Sequence, residues 1–375
     1  MSEILAAESS PGALSSENPL RREPRSPERE RPQSFHDAFD GRTLFYDCFR
    51  HGAGVLLVGP PPLNLKPAFD AARFTAHPSR ATLRARFHSS LSIMITSLAD
   101  VPPDTETIEV AVAGETLLLP IQRSSLDDLA GRRVLFSVNK NNDLAWIREW
   151  ALFHATRHGT DAVVLFDNGS TRYGRDELAA TLADVPGIAK VAVPQWNVSF
   201  GPIDPAVRVN PYWARFFQIN TMSVTLRRYG ERAYGLLNCD IDELAGTRSG
   251  MSIYDLAKRS RGGLIAFRGT WIEASQEGSR HRDYTRRLAD RSAAESRQRK
   301  WALDPTRPWV RNLNVHPYWH WIHGRPIFSK TMPDDATYWH FKPISTNWKV
   351  KRTDAPVGET VEDAELAATF ARLPA

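Results

Sequence analysis

The residues best suited to chemistry lie in Tyr234-Gly-Leu-Leu-Asn-Cys-Asp-Ile-Asp-Glu-Leu244, where an apolar run gives way to Asp240 and Asp242. Such a run reads as a strand covered on both faces. Alternate strand residues share a face, so the two carboxylates are expected side by side, their Cα atoms roughly 6.5 Å apart. That span can straddle a hard divalent cation and a phosphate bound to it. The plainer alternative is a solvated turn after a strand.

Other polar groups fall at the ends of other apolar runs. Val134–Val138 is a buried strand that ends in Asn139-Lys-Asn-Asn-Asp143. Asp143 is placed to cap a helix reaching His158, and Gly159 to stop it. Trp146, Trp150 and Phe153 give that helix a wide apolar face for the core. Ala162–Phe166 is the next strand and ends in Asp167-Asn-Gly-Ser-Thr171. Strand, helix and strand with short links make a right-handed βαβ unit and a parallel sheet. A helix over 176–183, a strand over 189–193 and a long helix over 212–229 lead on to the Asp240 strand. The polar tips Asn139, Asp167, Gln195 and Asp240 then share the carboxyl end of the sheet, where open α/β sheets hold their ligands. Asp167 can accept from a base N–H or a ribose hydroxyl, although Asp-Asn-Gly-Ser also suits a simple turn.

Composition narrows the function classes. The chain has 375 residues, 42% hydrophobic and 24% charged, with 48 basic against 43 acidic side chains and a net charge of +5. This is ordinary for a globular protein. The excess suits a phosphate-bearing ligand or an anionic membrane surface and is too small to argue for nucleic acid. Cys48 and Cys239 are the only cysteines, so neither a disulfide framework nor a thiolate zinc site is implied and a reducing, cytoplasmic setting is expected. No apolar run is long enough for a membrane span and no signal-peptide core is seen at the N-terminus.

Residues 1–34, with prolines scattered among Ser, Glu and Arg, are expected to be disordered. Residues 35–128 show short alternating strands such as Gly54–Val58, Ala81–Phe87 and Ile108–Val112, the pattern of a small β-sandwich-like accessory domain. Packing or spacing is its commoner role, and glycan binding the alternative. Arg280–Lys300 is arginine-rich and reads as an exposed helix, or else as a lid or a surface for an anionic acceptor or membrane. Pro308–Trp348 is rich in Trp, Tyr and His, for packing or for stacking on sugar rings. Residues 356–375 read as a C-terminal helix and tail.

The order of these pieces resembles the inverting GT-A glycosyltransferases of families 2 and 92. Asn139–Asp143 with Trp150 and His154 resembles the family's N-E-x-x-x-L-x-E-W-x-x-x-H opening, with the first Glu replaced. Val164-Leu-Phe-Asp-Asn-Gly-Ser-Thr171 resembles its D-[DN]-x-S-T strand end, and Cys239-Asp-Ile-Asp-Glu243 its D-x-D. His340-Phe-Lys-Pro-Ile-Ser-Thr-Asn-Trp-Lys-Val-Lys-Arg352 resembles its closing segment, without the glutamates and with Lys342 out of step. The resemblance covers roughly 132–352 and implies a Rossmann-like GT-A transferase domain over 129–355. It further implies a nucleoside-diphosphate sugar donor, with UDP the first expectation, and a Mn2+ or Mg2+ ion. The acceptor would be a glycan, a lipid-linked carrier or a protein. On that basis Asn139, Asp167, Asn168, Asp240, Lys349 and Arg352 would bind the nucleotide sugar, and Asp240, Asp242 and His340 the metal. Inversion needs a general base; Glu273 and Asp283 are the candidates. Two other functions compete. A nucleotidyltransferase also uses acidic strand ends, but no glycine-rich phosphate loop follows the first strand. A carbohydrate-binding protein with a degenerate transferase core would not need the paired aspartates.

Overall fold

The apolar runs form one large mixed sheet in the computed structural model, which describes residues 2–203, 214–347, 351–354 and 356–373. Its strands are β1 (Glu3–Leu5), β2 (Arg133–Asn139), β3 (Ala162–Asp167), β4 (Lys190–Ala192), β5 (Gly235–Asn238), β6 (Glu243–Thr247), β7 (Leu264–Ile272), β8 (Glu295–Leu303), β9 (Lys330–Thr331) and β10 (Ala336–Phe341). They are ordered β1-β4-β3-β2-β5-β8-β7-β10-β6, with β9 beside β7. From β1 to β5 every pairing is parallel. β8 runs antiparallel to both neighbours, and β6 to β10. Strand order runs from β2 through β3 to β4 on one side and jumps to β5 on the other. Such a reversal opens a crevice beyond the carboxyl ends of the strands.

Besides three shorter ones (Gln33–Ala38, Lys66–Asp70 and Arg291–Ala294), the helices among the described residues are α1 (Leu144–His158), α2 (Arg175–Ala183), α3 (Phe216–Val224), α4 (Ile253–Arg259) and α5 (Ala364–Phe370). α1 starts where Asp143 accepts a hydrogen bond from the Ala145 N–H (2.8 Å) and stops at Gly159 with φ 64°. Its Ile147, Trp150, Ala151 and Phe153 pack into a core with Leu135, Val163 and Leu165 from one face of the sheet. α3 continues into a π-helical turn, Thr225–Gly230. The expected start of this long helix, 212–213, lies outside the described residues.

The N-terminal segment forms two four-stranded antiparallel sheets. One is ordered Asp47–His51, Gly54–Gly59, Met94–Leu98, Ala85–Ser89, and the other Glu115–Pro120, Thr107–Val112, Arg73–His77, Thr82–Leu83. Val55 and Leu57 join Phe74, Ile108 and Val110 in the core between them. Leu56 and Val58, pointing the other way, join the core of the large sheet with Phe136, Phe217 and Trp301. This first sheet is therefore covered on both faces. Asp47, fully buried, pairs there with Arg228 at 2.9 Å.

Two expectations are corrected. Residues 2–34 are not a disordered tail: β1 adds to the edge of the large sheet, Gly12–Ala13 pairs with Thr43–Phe45, and Leu5, Ala7, Leu14 and Arg22 are buried. Composition understates order here because main-chain hydrogen bonds to existing edges need few apolar side chains. Arg280–Lys300 is not a helix: Arg286–Leu288 pairs with Thr360–Glu362, and Glu295–Leu303 is a central strand of the large sheet. Its hydrophobic half, Trp301–Leu303, is what β5 and β7 bury.

Candidate functional site

The crevice beside β2 holds a cavity of about 360 Å³. Lys140 and Asn142 follow β2, and Asn168 follows β3. Asp240 and Asp242 follow β5, and Gln298 and Lys300 come from β8. His340, Arg352, Arg215, His320 and, from α3, Gln218 add to the polar wall.

Asp240 and Asp242 are not on a strand face. β5 ends at Asn238, whose side chain is drawn aside to the Trp319 carbonyl (2.9 Å). The two aspartates lie in the turn to β6, closed by the Glu243 N–H on the Asp240 carbonyl (3.0 Å) and the Asp240 N–H on Glu243 Oε2 (2.9 Å). The carboxylates consequently part company. Asp240 turns to Lys300 Nζ (2.6 Å), and Asp242 to His340 Nε2 (3.1 Å) and Arg352 Nη1 (2.9 Å).

Strand register places His340. It pairs with Glu243 on one side and Trp271 on the other. The Trp271 indole stacks on the imidazole at 3.8 Å between centroids. Nε2 then faces Asp242, and Nδ1 faces Glu243 Oε1 at 3.6 Å. Asp242, Glu243 and His340 can each offer one ligand atom, all within 4.8 Å of one another. Glu243 takes the place in this trio that the sequence reading gave to Asp240.

Lys300 organises the acidic side. Its buried ammonium sits 2.6 Å from Asp240 and 2.7 Å from Glu243. Burial alone would lower its pKa, but the two carboxylates hold it well above the ordinary lysine value. Burial also pushes Glu243 up, against the pull of Lys300. For Asp242 the burial penalty is outweighed by His340 and Arg352, which hold it below the usual carboxylate range. Lys300 and Arg352 thus answer the three carboxylates directly, and Lys140 and Arg215 line the same cavity.

The remaining sequence candidates fall elsewhere. Asn139 and Asp167 are cross-strand partners and bond each other: Asn139 Nδ2 donates to Asp167 at 2.8 Å, and the Ser170 N–H and hydroxyl donate to the same carboxylate at 2.9 and 2.5 Å. Neither lines the cavity; they lock the two loops that do. Asn168 lines it while its amide holds the Trp196 and Val198 carbonyls (2.8 and 2.9 Å). Glu273, expected as a base, is fully buried with both oxygens on Lys342 Nζ (2.7 and 2.8 Å) and does not line the cavity. Asp283 accepts from the Ser279 and Arg280 N–H groups (both 2.8 Å), closing a turn away from the cavity. Lys349 lies outside the described residues.

Sequence reading missed Glu243, Lys300 and Trp271. Lys300 had a signal: Gln298 and Lys300 alternate with arginines in a run that ends in Trp301-Ala-Leu303, as on a strand with one wet face.

No family model matches the chain, and no curated protein matches it. Among solved structures, S. aureus TarS 1–349 is 11% identical with a TM-score of 0.33, over 64% of this chain and 70% of that one. A likeness of that size transfers neither fold nor activity.

Proposed function

We propose that the chain is a glycosyltransferase that moves a sugar from a nucleoside-diphosphate sugar to an acceptor hydroxyl, with a divalent cation held by Asp242, Glu243 and His340. The observation that carries this reading is the trio beside the switch-point crevice: Asp242 and His340 line it, Glu243 is buried behind them, and Lys140, Lys300 and Arg352 line the same cavity. An anionic diphosphate needs both a cation and fixed donors, and both are grouped there.

The residues fit an ion. Glu243 Oε1 and His340 Nδ1 are buried without a hydrogen-bond partner among the described residues. Two carboxylates and an imidazole suit Mn2+ better than Mg2+. When bound, the ion would neutralise charge that develops on the leaving diphosphate. The protein's own groups do the rest. Lys300 fixes the Asp240 and Glu243 carboxylates, and Trp271 fixes the His340 ring. Arg352, packed over Trp271 at 5.5 Å, supplies a guanidinium that fits phosphate oxygens in a fork. Lys140 and Asn142 stand where β2 meets the ligand, and Asn168 stands at the end of β3.

A panel of nucleoside-diphosphate sugars, screened by thermal shift with Mn2+ or with EDTA, tests both parts. A ligand at 100 times its Kd stabilises by about 2.7 kcal/mol. Stabilisation by at least one nucleotide, larger with Mn2+ and reduced to the EDTA level in Asp242→Ala and His340→Ala, is the expected outcome. Nucleotide binding unaffected by EDTA would remove the metal and leave transfer to Lys300 and Arg352. No stabilisation by any nucleotide, and no release of nucleoside diphosphate in a turnover assay, would sink the reading.

A further inference from the structure

Between Asp304 and Asp334 the chain carries no acidic residue. This stretch ends in a tight turn, Ile327–Ser329, before β9. The turn is built to be rigid. The Ser329 N–H and hydroxyl both bond the Pro326 carbonyl (3.0 and 2.6 Å), and Arg325 Nη1 bonds the Pro326 and Ile327 carbonyls (3.1 and 3.2 Å). Behind it, Gly262 lets the backbones touch: a Cβ there would lie 2.1 Å from the Ser329 Cα. Yet Ile327 is 95% exposed and Phe328 60%, with Trp321 and Met332 also exposed nearby in the sequence.

A soluble surface gains nothing by fixing an isoleucine almost wholly in water. Several cations lie close to it. Arg261 lies over the Phe328 ring at 5.8 Å. Lys330 lies within electrostatic reach of Arg325 and Arg299, which with burial lower its pKa. A shallow hollow of about 230 Å³, lined by Trp321, Ile322 and Ile327 among others, adjoins the turn. Apolar tips ringed by cations, with an indole at the same edge, match the layering of an anionic lipid headgroup region over acyl chains. Because the turn is already ordered, docking it costs little conformational entropy.

We infer that the Trp321–Met332 face docks on an anionic bilayer surface, with Ile327 and Phe328 inserted below the headgroups and Arg261, Arg325 and Lys330 against the lipid phosphates. This docking does not depend on the transfer reading, and its test does not use turnover. Co-sedimentation of the full chain is measured with vesicles of phosphatidylcholine alone and of phosphatidylcholine mixed with phosphatidylglycerol. The full chain is expected to pellet with the mixed vesicles, weakly with the neutral ones, and less as salt is raised. Ile327→Asp/Phe328→Asp is expected to cut binding by about tenfold or more, since charge replaces apolar insertion. Its melting temperature should change little, because Ile327 is almost wholly exposed and Phe328 mostly so. Arg325→Glu/Lys330→Glu is expected to abolish the preference for anionic lipid. A parent chain that stays in the supernatant with mixed vesicles, or an aspartate variant that binds as well as the parent, overturns the proposal. So does a parent dimer that the aspartate variant converts to monomer without any vesicle binding, which would assign the face to a second copy of the chain.

Discussion

At the scale of single residues, Lys300 decides whether the acidic turn can exist in the absence of ligand. Its ammonium pairs with both Asp240 and Glu243. Removing one partner of a buried ion pair usually costs about 3–5 kcal/mol. Asp240 is part-exposed, so Lys300→Met is expected at or below the lower end, about 2–3 kcal/mol. Urea unfolding monitored by tryptophan fluorescence would measure it. A loss under about 0.5 kcal/mol, the range of an ordinary surface change, would show that the turn does not need the amine. The folded-state pKa of Lys300 is raised, so its contribution is complete below the unfolded value and disappears only as pH rises through the folded one. At neutral pH the pair is intact.

At the scale of elements, α1 tests how far local rules suffice. Asp143→Ala removes an N-cap and should cost about 1 kcal/mol; an unchanged urea midpoint would contradict the cap. α1 and its two flanking strands were legible because cap, apolar stripe and terminating glycine all agree on one answer. β8 was not. Seven arginines over 280–299 outweighed the alternation of Gln298 with Lys300, and only the partners β5 and β7 decide that Trp301–Leu303 is central. The Asp-x-Asp turn was half legible. Both aspartates line the cavity, but on a turn and not on a strand face, because Glu243 closes a turn that strand periodicity does not foresee. His340 was placed correctly beside Asp242, whereas Glu273 and Asp283 had only position in the sequence behind them. Asp167 was legible as a strand end, and its bonds to Asn139 and Ser170 made it a fastening of the cavity wall.

At the scale of the whole molecule, the N-terminal layers and the large sheet share charge as well as apolar surface. Arg228→Met would strand Asp47 as a buried, uncompensated carboxylate and should cost about 3–5 kcal/mol. Asp47→Asn added to it should recover part of that loss. Additive losses in the double variant, read from urea curves, would show that the pair does not couple. A second whole-molecule property is acid sensitivity. His154 and His158 are fully buried and, chiefly through burial, their pKa values fall from 6.5 to about 3 and about 4. The folded state keeps both rings neutral while the unfolded chain binds protons from about pH 6.5. Stability is therefore flat above that pH and falls below it, by about 2 kcal/mol per ring at pH 5. Glu149, held down at about 2 by His281 and Arg282 against its burial, adds its own loss only as pH falls below about 4.5. Urea midpoints at pH 7.5, 6.5 and 5 would show the histidine phase first; equal midpoints would refute it.

The two-faced sheet around Gly54–Gly59 also sets a timetable for synthesis. Its strands and those of its companion sheet all lie before residue 121, so on the ribosome they can pair while the large sheet does not yet exist. Leu56, Val58, Ile93 and Ile95 then face water until Phe136, Phe217 and Trp301 emerge to cover them. β1 has no edge to join until β4, Lys190–Ala192, has been translated. Until those segments are made, the nascent chain carries an uncovered apolar face and an unpaired strand, the kind of surface through which partly folded chains aggregate.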